Sequence, residues 1–320
     1  MSDLDNIMNP NSLIRFPIDR ILDNSTTDFD LYLDVKGEYI LYGNIGYHWL
    51  KEELDRLIHN GVDHFFVRKE DQFKIKMYDA LSELPKIEKN LAPIERIKTI
   101  EQVGAAFTKC LYEGEITEAS IAKAKTIATS VTECVREDNR CIQFLSGLAN
   151  HDYYTYYHSI RVSTYAVAIA QEMGLTDQQK VEEIALGGIF HDIGKKFIDL
   201  SIINKKGALT KEEWAQMRSH PASGKNCVSQ SILSSVPREI IHHHHEKLDG
   251  SGYPDGYDKN SLLPEVQIAT LADVFDALTS SRSYQNKRTR YEALDLMKQK
   301  MVGHKLPTEA FMALISCLGN

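Results

Sequence analysis

The chain has 320 residues, enough for about two domains with a substantial core. Its formal net charge of −8 leaves no basic stripe, which argues against nucleic-acid wrapping as the main activity. No stretch approaches the roughly 20 apolar residues of a membrane helix, and the polar start MSDLDNIMNPNS lacks the basic-then-apolar layout of a secretory signal, so the expectation is no membrane span and a cytoplasmic location.

Residues 12 to about 80 read as a small α/β unit. DLYLDV and EYILYG are short strands rich in aromatic and aliphatic residues, joined at Lys36-Gly37 as a hairpin. The segment IGYHWLKEELDRLIHNG has helical spacing at Trp49, Leu50, Leu54, Leu57 and Ile58, and Gly61 is placed to end it. VDHFFVRKED supplies another strand. His48, His59 and His64 are scattered and read as structural. The first 55 residues hold eleven Asp/Glu against four Lys/Arg, a solvated face that could also select a partner. With no catalytic group in view, residues 1–84 read as a regulatory or partner-binding domain.

From Pro85 to Pro93 two prolines and mixed charge break the pattern, as in a linker. After it the chain reads as helix almost to its end. Ile94 to Tyr112, Thr117 to Arg136 and Asn139 to Ala149 form a region of connecting helices over 85–148, the first two long enough to connect or dimerise, although packing within the following helical domain is the commoner use of such helices. Further helices are expected at about 152–174, 177–190 running on to Lys195, 210–219, 221–233, 237–247, 264–282 and 289–302. The fold class is therefore α+β: a small N-terminal α/β domain followed by an all-α domain over 149–320, where facing helices aim side chains inward. Five cysteines, Cys110, Cys134, Cys141, Cys227 and Cys317, lack CxxC spacing and fit core use in a reducing compartment.

Eight of the twelve histidines fall between His151 and His245. A lone histidine in an apolar helix is most often a core residue, but here four separate segments carry them: His158, the pair His191-Asp192, His220, and His244-His245. An aspartate, Asp273, follows in LADVFDAL. Imidazoles and carboxylates without a nearby thiolate suit manganese, iron or zinc and disfavour an iron-sulfur cluster or a zinc knuckle. A carboxylate beside an imidazole can bridge two cations, and the pattern reads as a two-metal site. The run His242 to His245 resembles a purification tag, yet it is internal and leads directly into EKLDGSGYPDG. The loop Asp249 to Gly256 has the composition of a tight turn, and its place beside ligand histidines makes it a candidate substrate loop.

FHDIGK, INKKGALTKEEW, SHPASG, HHEKLDGSGYPDG and LADVFDALTSSRSY together resemble the HD-GYP family, a branch of the HD superfamily of metal-dependent phosphohydrolases, over about Ala149 to Gly303. The resemblance implies that His158, His191, Asp192 and Asp273 hold one metal, and that Asp192 bridges to a second held by His220, His244 and His245. It implies two divalent ions, iron or manganese. Tyr154, where some members carry a glutamate that recruits a third metal, points to a dinuclear centre. Lys195 matches the family lysine that meets the scissile phosphate, and at i+4 on a continuing helix it would share the face of His191. Gly252 and Tyr253 match the loop that approaches the nucleotide, and Arg282 an arginine that grips phosphate. Ser283 and the stretch VGHKLPTEAF depart from the family pattern. His151 falls outside the ligand pattern.

The implied activity is hydrolysis of cyclic di-GMP to linear pGpG and/or GMP, with a hydroxide bridging the two metals attacking phosphorus in line with the leaving ribose oxygen. Two alternatives are a non-catalytic cyclic-dinucleotide receptor and a phosphohydrolase of another nucleotide. Expected partners are the cyclic dinucleotide, a protein or signal at the N-terminal domain, and a second copy of the chain, with no nucleic acid.

Overall fold

The computed structural model of the chain describes residues 10–82, 91–145, 154–228, 233–280 and 288–319. It divides into two compact units, Met1–Pro85 and Lys86–Asn320.

The first unit is built on short strands: β1 (Leu13–Pro17), β2 (Ser25–Thr26), β3 (Leu31–Val35), β4 (Glu38–Gly43), β5 (His48–Trp49) and β6 (His64–Arg68). Four of them form an antiparallel sheet in the order β1-β6-β3-β4, and β2 pairs with β5. The β3–β4 hairpin turns at Lys36 and Gly37, both at positive φ (57° and 91°), as a two-residue turn matched to strand twist requires. One face of the sheet is buried: β6 alternates in burial, and Phe65 and Val67 join Phe16, Phe29, Leu31 and Trp49 in the core. Helix α1 (Lys51–His59) adds Leu54 and Leu57, and α2 (Gln72–Ser82) adds Ile75 and Tyr78.

The sequence expectation for α1 is corrected at its edges. Trp49 lies in β5, Leu50 is the N-cap residue and half exposed, and Ile58 points to solvent. A fully buried Trp49 belongs to the strand pairing, which ends the apparent helical spacing early. Strand β1 is hard to read from LIRFP, because its proline at the end and Arg15 in the middle disguise the alternation.

The second unit is helical: α3 (Pro93–Glu113), α4 (Glu118–Glu137), α5 (Tyr154–Glu172), α6 (Gln178–Phe190), α7 (Leu200–Ile203), α8 (Lys211–Met217), α9 (His220–Cys227), α10 (Ser235–His243), α11 (Pro264–Thr279), α12 (Arg290–Lys300) and α13 (Thr308–Gly319). Helix α5 is buried continuously from His158 to Ala170, with α3, α4, α6, α11 and α13 packed around it. A helix buried on all sides belongs at the centre of a bundle, and the polar groups this one carries, His158 and Arg161 among them, are buried with it. Helices α3 and α4 bury Ile97, Ile100, Phe107 and Leu111, and Ile121, Ile127, Val131 and Val135, at helical spacing. They pack on α5 and α6, so the region read as connecting helices belongs to the same compact unit as the histidine segments. Threonine starts α4, α8 and α12 with a reciprocal capping box, partnered by Ser120, Glu213 and Glu292.

Two further expectations are corrected. Asn139 to Ala149 is not a helix over its described part: Asn139–Phe144 is a 3-10 turn, which Asp138 starts by accepting from the Arg140 N–H. Helix α6 stops at Phe190 and resumes as a 3-10 turn over Ile193–Phe197 instead of running to Lys195. The linker expected at 85–93 lies outside the described residues up to 90, and Pro93 opens α3, where a missing N–H costs nothing. All five cysteines are free, and no described helix is long and apolar enough to cross a membrane.

Candidate metal centre

Five parts of the helical unit deliver the predicted ligands to one buried place. His158 comes from α5, His191-Asp192 from the break after α6, His220 from the first turn of α9, His244-His245 from the end of α10, and Asp273 from α11. The break after α6 matters because it turns both His191 and Asp192 inward. Gly194 then allows α9 to close on it: a Cβ there would lie 1.9 Å from the His220 carbonyl oxygen and 2.6 Å from the Gly224 nitrogen. Only a glycine permits that approach, and the approach carries His220 to Asp192.

Four imidazoles are set by their outer nitrogens. Nδ1 of His191 lies 2.8 Å from the Gly188 carbonyl, that of His220 2.7 Å from the Met217 carbonyl, and that of His244 3.0 Å from the Ile241 carbonyl. Nδ1 of His158 lies 2.7 Å from Asp276 Oδ2. Each partner can only accept, so each Nδ1 donates, and the neutral form of each ring, the form that binds metal, has its lone pair at Nε2. Those lone pairs face one another, 3.3 Å apart for His158 and His191 and 3.2 Å for His220 and His244. They also face Asp192, whose Oδ1 is 3.2 Å from His220 Nε2 and whose Oδ2 is 3.3 Å from His191 Nε2. Asp192 Oδ1 is buried with no hydrogen-bond donor. A group of lone pairs and a carboxylate converging in a dry interior is repulsive until cations sit among them, and this donor set fits divalent metal ions.

The donors fall into two sets that share Asp192: His158, His191 and Asp192, and Asp192, His220, His244 and His245. Asp273 flanks them, 3.1 Å from His158 Nε2 and 3.8 Å from His245 Nδ1. Burial by itself would raise the Asp192 carboxyl, but Lys195 and His191, then His220, override it and hold it well below the usual carboxylate range. Asp273 is likewise held well down despite burial, by His158 foremost. Burial, with the neighbouring rings adding to it, pushes His244 and His245 well below the ordinary imidazole value. For His191 burial opposes the charge, yet Asp192 prevails and moves it up. Ionised carboxylates and neutral His244 and His245 are the forms that bind metal.

Lys195 does not lie at i+4 on the helix face of His191. It sits in the 3-10 turn and places Nζ 2.6 Å from Asp192 Oδ2, with its side chain about one fifth exposed (18%). Lys196 turns the other way and donates to the Leu111 carbonyl at the end of α3. The Asp249–Gly256 loop folds over His245. Tyr253 stacks on that ring (centroids 4.7 Å apart, planes at 28°), and the Arg218 guanidinium lies over the Tyr253 ring, 4.6 Å from its centroid. Gly252 makes a close approach to the chain's own backbone, where a Cβ would lie 2.3 Å from Glu246 Cα. Arg282 and His151 lie outside the described residues, as does the side chain of Tyr154.

Sequence reasoning missed the groups behind the ligands. Asp276, one helical turn after Asp273, holds His158 and is itself held by Arg161 Nε at 2.7 Å, while Arg161 Nη1 reaches Glu101 at 3.1 Å. Glu246, buried beside His245, accepts from the N–H groups of Asp255 and Gly256 at 2.7 and 2.8 Å and so fixes the loop. The i+3 spacing of Asp273 and Asp276, and the acidic residue directly after His245, were the available signals.

The HD domain family matches residues 133–306, more than half of the chain, and the chain belongs to that family. Several curated cyclic-dinucleotide phosphodiesterases are similar to it. It is 32% identical over 199 residues to a cyclic di-GMP phosphodiesterase of Pseudomonas aeruginosa, covering 62% of this chain and 47% of the relative. It is 39% identical over 136 residues to the cyclic di-GMP phosphodiesterase response regulator RpfG of Xanthomonas campestris, covering 42% and 36%. It is 30% identical over 162 residues to a 3'3'-cGAMP-specific phosphodiesterase of Vibrio cholerae, covering 51% and 37%. The chain thus spans less than half the length of these relatives. In fold it is similar to an HDG"Y"P protein from Bdellovibrio bacteriovorus, with a TM-score of 0.65 at 20% identity, covering 96% of this chain and all of that one.

Proposed function

We propose that this chain is a metal-dependent phosphodiesterase that hydrolyses cyclic di-GMP to linear pGpG and/or GMP. The observation that carries the reading is the convergence of four Nε2 lone pairs, their outer nitrogens committed elsewhere, on the Asp192 carboxylate. The sharing of Asp192 by both donor sets supports two ions, with iron or manganese as the expected pair. His158, His191 and Asp273 would hold one ion and His220, His244 and His245 the other, with Asp192 common to both. When bound, the ions would supply Lewis acidity toward a phosphate and an activated water.

The remaining roles belong to the protein. Lys195, tethered to Asp192 yet part exposed, offers its ammonium to charge developing on the scissile phosphate. Tyr253 and Gly252 shape the wall that a base or ribose would meet, and the exposed Arg218 extends it with a cation. Arg282 would add a planar grip on phosphate. The first unit offers no group of three or more metal-binding side chains among its described residues, which supports a regulatory or partner-binding role. The relatives divide between cyclic di-GMP and 3'3'-cGAMP by name, and this favours one second reading: a phosphodiesterase selective for the hybrid dinucleotide.

The test is turnover by anaerobically purified protein loaded with iron or manganese, offered cyclic di-GMP, 3'3'-cGAMP and nucleoside monophosphates in parallel. Fastest hydrolysis of cyclic di-GMP is expected. Binding without hydrolysis under every metal would make the chain a receptor, and preference for another substrate would reassign it.

A further inference from the structure

A second group of metal-binding side chains lies on residues that the centre above does not use. His242 Nε2 and His243 Nε2 both point at one oxygen, Asp255 Oδ2, from 3.2 and 3.0 Å. All three donor atoms lie within 4.8 Å of one another. Both rings are largely buried, at 15% and 5% exposure, whereas the carboxylate is open to solvent at 41%.

The other nitrogen of His243 is held as well: Nδ1 lies 2.9 Å from Glu239 Oε2, one turn back on α10. Its Nε2 is the atom turned toward Asp255, as the Nε2 atoms of His191 and His220 turn toward Asp192. A carboxylate holding the distal nitrogen of a ligand imidazole is the usual support behind a bound metal. Tyr257 stacks on the His243 ring at 4.8 Å and fixes its plane. Glu246 fixes the backbone of Asp255. The nearby cation, Lys225, is paired with Glu239 at 3.3 Å and so does not stand unopposed.

We propose that His242, His243 and Asp255 form a further divalent-cation site, separate from the Asp192 cluster, that takes an ion of zinc's class and ties the Asp249–Gly256 loop to α10. Zinc bonds of about 2.0–2.2 Å in tetrahedral geometry put neighbouring donors about 3.3 Å apart. The two nitrogen-to-oxygen separations are close to that, and a small rotation of the half-open Asp255 side chain closes the difference. Two imidazoles and one carboxylate suit zinc better than magnesium or calcium, which prefer oxygen ligands. The exposed side of Asp255 leaves a fourth position to water. The loop so tied is the one whose Tyr253 covers His245, so loading this site would stiffen the wall of the metal centre.

The experiment measures zinc bound per chain after dialysis against buffered zinc, for wild type, Asp255→Asn, His242→Gln and Asp192→Ala, with zinc-edge anomalous scattering from wild-type crystals. Asp255→Asn and His242→Gln should each lose about one zinc per chain while the metal-free proteins melt as wild type does. A zinc peak should lie among His242, His243 and Asp255. Equal zinc content in wild type and both variants, or peaks confined to the Asp192 cluster, overturns the site. If one variant misfolds, the other and the scattering decide. Asp192→Ala separates the two assignments, since its loss of zinc reports on the Asp192 cluster alone.

Discussion

Asp276→Asn tests whether the groups behind the ligands govern the metal centre. The substitution keeps the shape and still offers His158 Nδ1 an acceptor, but it removes the charge that Arg161 faces at 2.7 Å. All of these groups are buried, with Arg161 and Asp276 both 1% exposed. Breaking one side of a buried pair costs about 3–5 kcal/mol. Glu101 lowers the expectation to the smaller end. Burial outweighs Arg161 at Glu101 and pushes its carboxyl up, whereas Arg161 and His158 overcome burial at Asp276 and hold it down. With Asp276 neutralised, Glu101 can become the partner of the guanidinium. A loss of about 3 kcal/mol in a unit of this size lowers the melting temperature by about 6–12 °C. Metal affinity should fall about 10- to 100-fold, because His158 becomes a poorer base and is less firmly oriented. The pH dependence has a definite sign. A carboxyl depressed in the folded state contributes stability above its unfolded pKa of about 4, and that contribution is lost as pH falls toward the folded value. The stability gap between wild type and variant should therefore narrow below about pH 4. Denaturant titration at several pH values and manganese binding by calorimetry measure both effects. An unchanged melting temperature with metal affinity within twofold of wild type would refute the reasoning.

Asp192→Ala should abolish hydrolysis and reduce binding of both ions, since the carboxylate common to the two donor sets is lost; normal metal content by elemental analysis would show that it does not bridge. Lys195→Ala should keep the metals and slow the chemical step by about 10² to 10³ in single-turnover assays, the scale for losing one charge-stabilising donor, and near-normal turnover would remove its role. Gly194→Ala should cost about 1–3 kcal/mol and lower metal content, because its Cβ meets the His220 carbonyl at 1.9 Å; a variant with wild-type melting and metal content would show that α9 can retreat freely. Tyr253→Phe, measured by calorimetry in a Lys195→Ala background, should weaken cyclic di-GMP by about 0.5–1.5 kcal/mol, up to about tenfold, if the hydroxyl bonds the nucleotide; equal affinities would leave the ring with only its stacking on His245.

The ligands were legible in the sequence because their chemistry is carried by residue type. Imidazoles and carboxylates placed in five distinct local segments admit few other uses, and the brief patterns around them, HDIGK and HHEKLDGSGYPDG, are specific. The helical character of the second unit was legible for the same kind of reason: the apolar periods of α3, α4 and α11 are long and uninterrupted. What periodicity cannot express is where a helix must stop for a reason of tertiary packing. Nothing in IALGGIFHDIGKKF marks the break after Phe190, since neither His191 nor Asp192 forbids helix. The break is imposed by the approach of α9 at Gly194, a contact between segments about 30 residues apart. The i+4 placement of Lys195 failed for that reason, although the lysine still reaches the site through Asp192.

The supporting residues were illegible for a different reason. Asp276, Arg161 and Glu101 sit on α11, α5 and α3, and any one of them read alone is a charged residue in an amphipathic helix. Their meaning appears only when the three helices bring them together at 1%, 1% and 3% exposure, where none could remain charged without the others. The same holds for His243, which is followed directly by two ligands of the Asp192 cluster, His244 and His245, while its own ring turns to Glu239 and Asp255. Adjacent histidines on one helix end point about 100° apart, so a run of four cannot serve a single metal centre. The His242–His245 run therefore divides. Two rings face the Asp192 carboxylate and two face Asp255, and that division makes the second group open to test independently of the first.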